Sequence, residues 1–455
     1  MSKYISILFI ATLLIACQTQ ILDPPPVDSL TDEIVFKRAA DLPGVRVGLY
    51  NAFRSIASPL VQAGDFTADN TIHIGTFTDY QELGSKQITP ANGVVADLWR
   101  RIYNTIYLSN FILERIGSVS SIKEADSKLV IAEAKFLRGY AYFVAANTFG
   151  GVPKITTTDL ATNRNIPRAS KADILAFALE DYKASFKDLP NKPSNVAYAS
   201  KDALRAAFAR YYLYQKDWSG AELYADSVIR STNAYTLVQF DDVVLKDFTK
   251  ESIFEVGYTL PDYNGDINNY FISRREVIPS NQVVVSLTSR DAGQRQTTLG
   301  FDFAKQKGND NGWSMLKYGS KDDANRNFTI FRLGEMYLIR AEARAQQNKL
   351  VAAIADINIL RTRATLGFVA TTNRPAPTKI TSSNQADLLL SIERERIYEL
   401  AYEGHRWFDL VRTGRAQTVM SAFSSNWNSK YELWPIPQTE IQRNPALVGA
   451  QNPGY

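Results

Sequence analysis

One cysteine and two histidines are all that a chain of 455 residues offers of the usual disulfide- and metal-forming side chains. That excludes an intrachain disulfide, a cysteine-rich zinc module and any site built on three imidazoles. Charge of one sign is also lacking. With 51 basic against 47 acidic side chains, a net +4 sets up no field for nucleic acid, and none is expected as a partner. No HExxH, G-x-S-x-G, P-loop or G-x-G-x-x-G is present, and neither His73 nor His405 sits in a catalytic context. The expectation is therefore no catalytic residue, no cofactor and no metal. Acidic pairs such as Asp65 with Asp69, or Asp262 with Asp266, are weak grounds for glycoside hydrolysis, because loop aspartates are more often turn formers. What is present in excess is aromatic: 23 Tyr, 23 Phe and 6 Trp, in an otherwise ordinary globular composition. Such a surplus favours recognition of something flat or amphipathic.

No long hydrophobic run is present either. Tyr4 to Ile15, preceded by Lys3, is apolar but too short for a helix at ~1.5 Å per residue to cross a ~30 Å hydrocarbon core. It reads as a secretory signal, residues 1–16. It ends in Leu14-Ile15-Ala16-Cys17, which resembles the lipobox of bacterial lipoproteins, with the only cysteine of the chain where acylation (palmitate-type chains) requires one. Several acyl chains on Cys17 suffice for stable anchoring. Residues 17–30, with Pro24-Pro25-Pro26, then form an extended tether.

Residues 31–455 of the mature chain read as a single mostly α-helical domain. Ser29 and Asp32 form a capping-box candidate for a helix towards Leu42, and Val45 to Ser55 reads as a second helix. Ala96 to Ile116 and Lys128 to Thr148 carry apolar residues at i, i+3, i+4, and Ser170 with Asp173 opens a further helix. Two pairs, near 200–231 and 331–364, share one spacing. Ala209 precedes Ala221 by 12 and Trp218 by 9, as Ala341 precedes Ala353 by 12 and Leu350 by 9. Small residues at those offsets let antiparallel helices approach closely, a tetratricopeptide-like pattern. Two irregular excursions interrupt the helices. In 59–95 helical periodicity is lost over Pro59 to Pro90. In 232–327, β-favouring runs such as Ser252 to Tyr258 and Val283 to Leu287 sit among Gly, Asn, Asp and Pro. Asp387 to Thr413 is a long helix or a pair, followed by a proline-punctuated tail. Long loops in a compact domain are usually functional.

The densest charge runs from Glu393 to Arg412. Glu395, Glu399 and Glu403 are like-charge pairs at i, i+4, so arginines must neutralise them, in a partly buried structural network. That stretch resembles the C-terminal motif of the SusD/RagB family. Ala134-Lys135-Phe136-Leu137-Arg138-Gly139-Tyr140, then Phe149-Gly150-Gly151-Val152-Pro153, is similar to a second family block. Pro167-Arg168-Ala169-Ser170, Phe331-Arg332-Leu333-Gly334-Glu335-Met336-Tyr337 and the close Leu433-Trp434-Pro435-Ile436-Pro437 to Tyr455 fit three more, in the family's order. The resemblance implies a SusD-like fold and a non-enzymatic, lipid-anchored outer-membrane protein facing the cell exterior. It further implies capture of an oligomeric nutrient, most often a glycan, for a SusC-like TonB-dependent transporter. One departure is Gln18-Thr19-Gln20, which lacks the early acidic cluster linked to surface export. A peptide-binding member, or a helical-repeat adaptor that organises proteins without a small ligand, is the alternative.

Family blocks do not locate a ligand site, so the tryptophans are sorted by context. Trp218, Trp407, Trp434 and Trp99 fall on the scaffold, leaving Trp313 and Trp427 in loop-like surroundings. Sugar rings stack on aromatic faces while Asp, Asn and Arg bond their hydroxyls. Trp313, flanked by Asn309, Asp310 and Asn311, is the leading platform. Tyr263 and Tyr270 with Asn264 and Asp266 come next, and Asp65, Asp69, Asn70, Asp79 and Tyr80 are candidates from the first excursion. A binding protein should show Trp313 in a solvent-facing depression; an adaptor should show a flat apolar patch.

Overall fold

The computed structural model describes residues 36–193, 195–231, 234–258, 267, 269–319, 327–366 and 376–455. The leader, Cys17, the tether, the Ser29–Asp32 cap and the candidates Tyr263, Asn264 and Asp266 lie outside the described residues. The fold is mostly helical, and among the described residues six short strands pair two by two.

In chain order, the first long elements are α1 (Leu42–Arg54), strand β1 (Thr71–His73), α2 (Thr78–Ser85), α3 (Gly93–Arg115) and α4 (Glu124–Phe149). They continue with α5 (Lys171–Ser185), α6 (Lys201–Tyr214), α7 (Trp218–Ile229), β2 (Ser252–Val256) and β3 (Val277–Pro279). The rest are β4 (Leu299–Phe301), β5 (Trp313–Met315), β6 (Phe328–Arg332), α8 (Leu333–Gln346), α9 (Leu350–Arg363), α10 (Gln385–Leu400) and α11 (Arg406–Arg412). Short polar caps start several of them. Asn92 Oδ1 accepts from the amides of Val94 and Val95 at 3.0 and 3.2 Å, and starts α3 three residues before its periodicity shows. Ser170 Oγ accepts from Asp173 N at 3.1 Å, as expected for α5.

Close approach explains the pairing. A Cβ on Gly139 of α4 would lie 2.9 Å from the Tyr182 ring of α5, so only glycine lets these helices touch there. Ala209 of α6 faces α7, where Ala221 and Ala225 are fully buried; Ala341 and Ala353 do the same for α8 and α9. The two copies of the spacing, far apart in sequence, are neighbours in space, because α7 packs on α8. Ion pairs tie them: Arg340 of α8 reaches Asp226 of α7 at 2.6 Å and Asp356 of α9 at 2.6 Å. Trp218 and Leu350 are half-buried at the turns they wedge. A small apolar core, with Leu338, Ile357, Leu360, Leu388 and Ile392, joins α8, α9 and α10; a large one holds the rest.

Of three readings, one is resolved between its alternatives and two change. Asp387 to Thr413 is a pair, α10 and α11, broken where Tyr402 and Gly404 take left-handed φ of 65° and 78°. Val283 to Leu287 is not a strand; it lies in the helix Asn281–Leu287, capped by Ser280 Oγ accepting from Val283 N at 3.2 Å. The stretch Pro59 to Pro90 is not one loop. It holds the end of a helix (Ala57–Val61), a wide turn (Gln62–Phe66), β1 and α2, each too short to show a period.

Candidate functional site

The excursions meet through β1 and β3, antiparallel, with Ile72 opposite Ile278 and His73 opposite Val277. Glu276, next to β3 and buried, accepts with one oxygen from the amides of Thr76 and Phe77 at 2.8 and 3.0 Å. This clamp sets Phe77 at the surface, 41% exposed, and the Arg274 guanidinium lies over its ring at 4.4 Å. Arg275 has φ 49°, an unusual left-handed value for a long side chain. Arg274 thus serves Phe77, while Arg275 serves β5. The Arg275 guanidinium donates to both oxygens of Asp310 at 2.9 and 2.6 Å, and to the Trp313 carbonyl at 3.0 Å.

Trp313 is half-buried. It sits opposite Phe301 in the β4–β5 pair, ring centroids 5.0 Å apart at 48°. Phe301 is 49% exposed and Phe303, just beyond the strand, 79%. Neighbouring Asp310 and Asn311 build the turn: Asn311 Oδ1 accepts from Trp313 N at 3.1 Å, and its Nδ2 donates to the Pro279 carbonyl at 2.8 Å. The Phe301–Trp313 ring pair, with exposed Phe303 two residues further along the chain, is the aromatic shelf of the second excursion.

Tyr80 and Tyr270 do come together, edge to face at 5.0 Å, and both rings rest on Phe66. Tyr80 also meets Phe77 at 5.5 Å and stays half-exposed. Tyr270 is buried, its hydroxyl 2.9 Å from Ser58 Oγ, so it supports the cluster from beneath rather than facing a ligand. Asp79 is half-buried in the first turn of α2, near the start of α3, where a Cβ on Gly93 would meet its Oδ2 at 2.6 Å.

The three remaining polar candidates are joints of the scaffold. Asp65 is fully buried; it accepts from Asn70 Nδ2 at 2.7 Å and from Gly404 N at 2.8 Å, and burial pushes its carboxyl up to about 7. Asn70 is buried with it. Asp69 spends both oxygens on Arg406, at 2.7 and 2.9 Å. The backbones are tightest there: a Cβ on Gly64 would overlap the Gly404 carbonyl at 2.2 Å. Sealed in this way, the Asp65 carboxylate has no face to offer a sugar, which corrects the expectation for Asp65; Asp69 is half-buried and Asn70 lines the cavity beside α10.

The glutamates of the charged run form a neutralised ladder. Glu395 is bound by Arg295 and by Arg361 at 3.0 Å; Glu399 by Arg363 and by Arg332 at 2.7 Å; Glu403 by Arg332 at 2.9 Å and Lys317 at 2.5 Å. Burial alone would raise the Glu399 carboxyl, but Arg363, Arg332 and Arg295 outweigh it and hold it far below the ordinary range. The network is more deeply buried than its sequence signal implied.

The aromatic residues missed by sequence reasoning are Phe77, Phe301 and Phe303. The Phe301-Asp302-Phe303 alternation inside the long insertion was the available signal. The Trp313 ring leans on Phe301 across the two-stranded β4–β5 ribbon. A cavity of about 400 Å³ lies between α10 and α11, and Trp313 does not line it. Among the described residues no group of three or more His, Cys, Asp or Glu is placed to hold a metal ion, and no helix is long and apolar enough to cross a membrane.

With the geometry established, comparison with known proteins is informative. Residues 294–455 match the model described as SusD family, and residues 26–213 match one described as starch-binding associating with outer membrane. The chain is 26% identical to SusD-like protein P38 of Formosa agariphila over 98% of each chain. It is 25% identical to SusD-like protein P2 of the same organism over the full length of both. Among solved structures, a laminarin-binding SusD-like protein superposes with TM-score 0.77 at 22% identity, covering 92% of this chain and 100% of the other. A SusD superfamily protein of Bacteroides vulgatus gives TM-score 0.77 at 19% identity, covering 90% and 97%. These structural likenesses establish the shared fold.

Proposed function

Because the chain belongs to the SusD family, we propose that it is a non-catalytic receptor for an oligomeric glycan, bound across the aromatic shelf of the two excursions. The observation that carries this is the Phe301–Trp313 ring pair, with Phe303 and the polar Asp302, Lys305 and Asn309 exposed in the same segment. Stacked rings desolvate the C–H faces of a sugar, and flanking polar groups read its hydroxyls. An open shelf also suits a polymer, which must run past the site at both ends. The starch-binding description of one family model and the laminarin-binding neighbour support a glycan over a peptide.

In this reading residues 1–16 direct export and are removed. Acylated Cys17 holds the protein at the outer membrane through the 17–30 tether, on the exterior face. The captured oligomer passes to a SusC-like TonB-dependent transporter, and the protein itself breaks no bond.

Affinity electrophoresis of the mature chain through gels carrying a panel of neutral and acidic polysaccharides tests this. Retardation by at least one glycan, lost in Trp313→Ala, is the expected result. No retardation by any, with intact folding, would leave the shelf as a protein-docking patch and favour the adaptor.

A further inference from the structure

A separate cavity of about 450 Å³ opens where four helices meet: the end of α4, the start of α5, the end of α6 with the turn after it, and α11. Its wall is one-sided in charge. Lys171, Lys216 and Arg412 line it, and among the described residues of the wall there is no carboxylate. Arg412 is already spent, with its terminal nitrogens on Glu342 and its Nε on Asp409 at 2.9 Å. The two lysines are not. Neither side chain has a hydrogen-bond or ion-pair partner among the described residues. Lys171 is half-buried, and burial draws its pKa down with no carboxylate near enough to raise it.

Local preference explains neither lysine. Lys171 is the first residue of α5, where the helix dipole disfavours a cation. Lys216 has a left-handed φ of 59° in the α6–α7 turn, and in the counterpart turn between α8 and α9 Asn348 has the same φ. Asparagine enters that region more readily than lysine, so the ammonium rather than the turn accounts for Lys216. Two unpaired ammoniums in one wall call for an anion, and a single carboxylate has lone pairs for both. The rest of the wall is uncharged. Leu175, Phe408 and Val411 are apolar, whereas Gln215 offers its amide and Asn147, with Nδ2 on the Phe143 carbonyl at 2.8 Å, keeps its Oδ1 as an acceptor. Apolar faces beside amides suit a short carbon skeleton that carries hydroxyls, and the volume falls in the range of small-ligand sites. We infer that this cavity binds a small hydroxylated carboxylic acid of the sugar-acid type, its carboxylate held by Lys171 and Lys216 and its hydroxyls by Asn147 and Gln215. The site is independent of the aromatic shelf.

Because neither lysine is tied to another side chain, replacing them tests binding with little effect on folding. Titration calorimetry of the mature chain with glucuronate, galacturonate and gluconate should show one saturable site for at least one of them. Glucose, which lacks the charge, and hexanoate, which lacks the hydroxyls, should each bind about tenfold more weakly. Lys171→Gln with Lys216→Asn should reduce the affinity for the acid about tenfold. Should the double variant lose stability, Lys216→Asn alone, which supplies the residue of the counterpart turn, should still weaken binding. Trp313→Ala should leave it unchanged, which separates this site from the glycan shelf. Absence of binding by all three acids up to about 10 mM, glucose or hexanoate binding as tightly as the acid, or unchanged affinity in Lys216→Asn would overturn the proposal.

Discussion

Asp69 and Arg406, 337 residues apart, face each other with two parallel hydrogen bonds of 2.7 and 2.9 Å. The pair fastens the first excursion to the start of α11, beside Asp65 on Gly404 and the Gly64–Gly404 contact. Arg406 is buried, and Asp69 with Glu393 keeps it firmly charged. Removing Asp69 leaves that buried charge to Glu393 alone, a loss bounded by the ~3–5 kcal/mol typical of breaking a buried pair. Asp69→Ala should therefore lower the urea midpoint sharply. An unchanged midpoint would mean that water replaces the carboxylate and that the joint is not load-sharing.

Glu399 gives a second, pH-dependent test. Its carboxyl is held below the ordinary carboxylate range, against the opposing push of burial, by Arg363, Arg332 and Arg295. A carboxylate with a depressed folded-state pKa contributes stability above its unfolded value, ~4.3, and that contribution is lost as pH falls towards the folded value. Glu399→Gln should thus be strongly destabilised at pH 7, and the gap from wild type should narrow as acid is added below about pH 4.3. A constant gap between pH 7 and 3 would contradict the coupling.

This ladder was legible in the sequence because like charges at i, i+4 on one helix demand opposite charges from elsewhere. The tetratricopeptide-like pairs were legible for a similar reason: alanines at Ala209, Ala221, Ala341 and Ala353 mark where helices touch. Short elements were not. The run Val283 to Leu287 has strand composition, but Ser280 caps it into a helix, and the local cap outweighs weak β preference. The shelf was half legible. Trp313 stood out by rarity, whereas its partner Phe301 is fixed by strand register, a long-range relation that no local pattern encodes. Asp65 and Asp69 look like loop ligands in sequence because their partners, Gly404 and Arg406, lie at the far end of the chain.

Lys86 is buried without a carboxylate in hydrogen-bond contact. Its ammonium donates to the carbonyls of Phe66 and Ala68 at 2.7 and 2.9 Å, and burial draws its pKa down to about 7. For a base with a depressed folded-state pKa, stability is present above the unfolded value, ~10.4, and is lost as pH falls through the folded one. Relative to Lys86→Met, wild type should gain stability steadily from pH 7 to about pH 10. Thermal melts of both proteins across that range measure the difference. A flat difference would show that Lys86 keeps an ordinary pKa.

Phe303 and Trp313 divide binding from folding. Phe303 projects into solvent, so Phe303→Ala should leave stability within about 0.5 kcal/mol of wild type. Trp313 is half-buried and pairs with Phe301, so Trp313→Ala loses a ring contact of ~0.5–1.5 kcal/mol in addition to its stacking face. Both should weaken retention by a bound polysaccharide, the tryptophan variant about tenfold, equivalent to ~1.4 kcal/mol. The order matters more than the size. If Phe303→Ala matches Trp313→Ala in lost retention while keeping full stability, the sugar path runs along the whole shelf to its exposed end. If only Trp313→Ala loses retention, and in proportion to its lost stability, the effect is one of folding and the shelf does not touch the glycan.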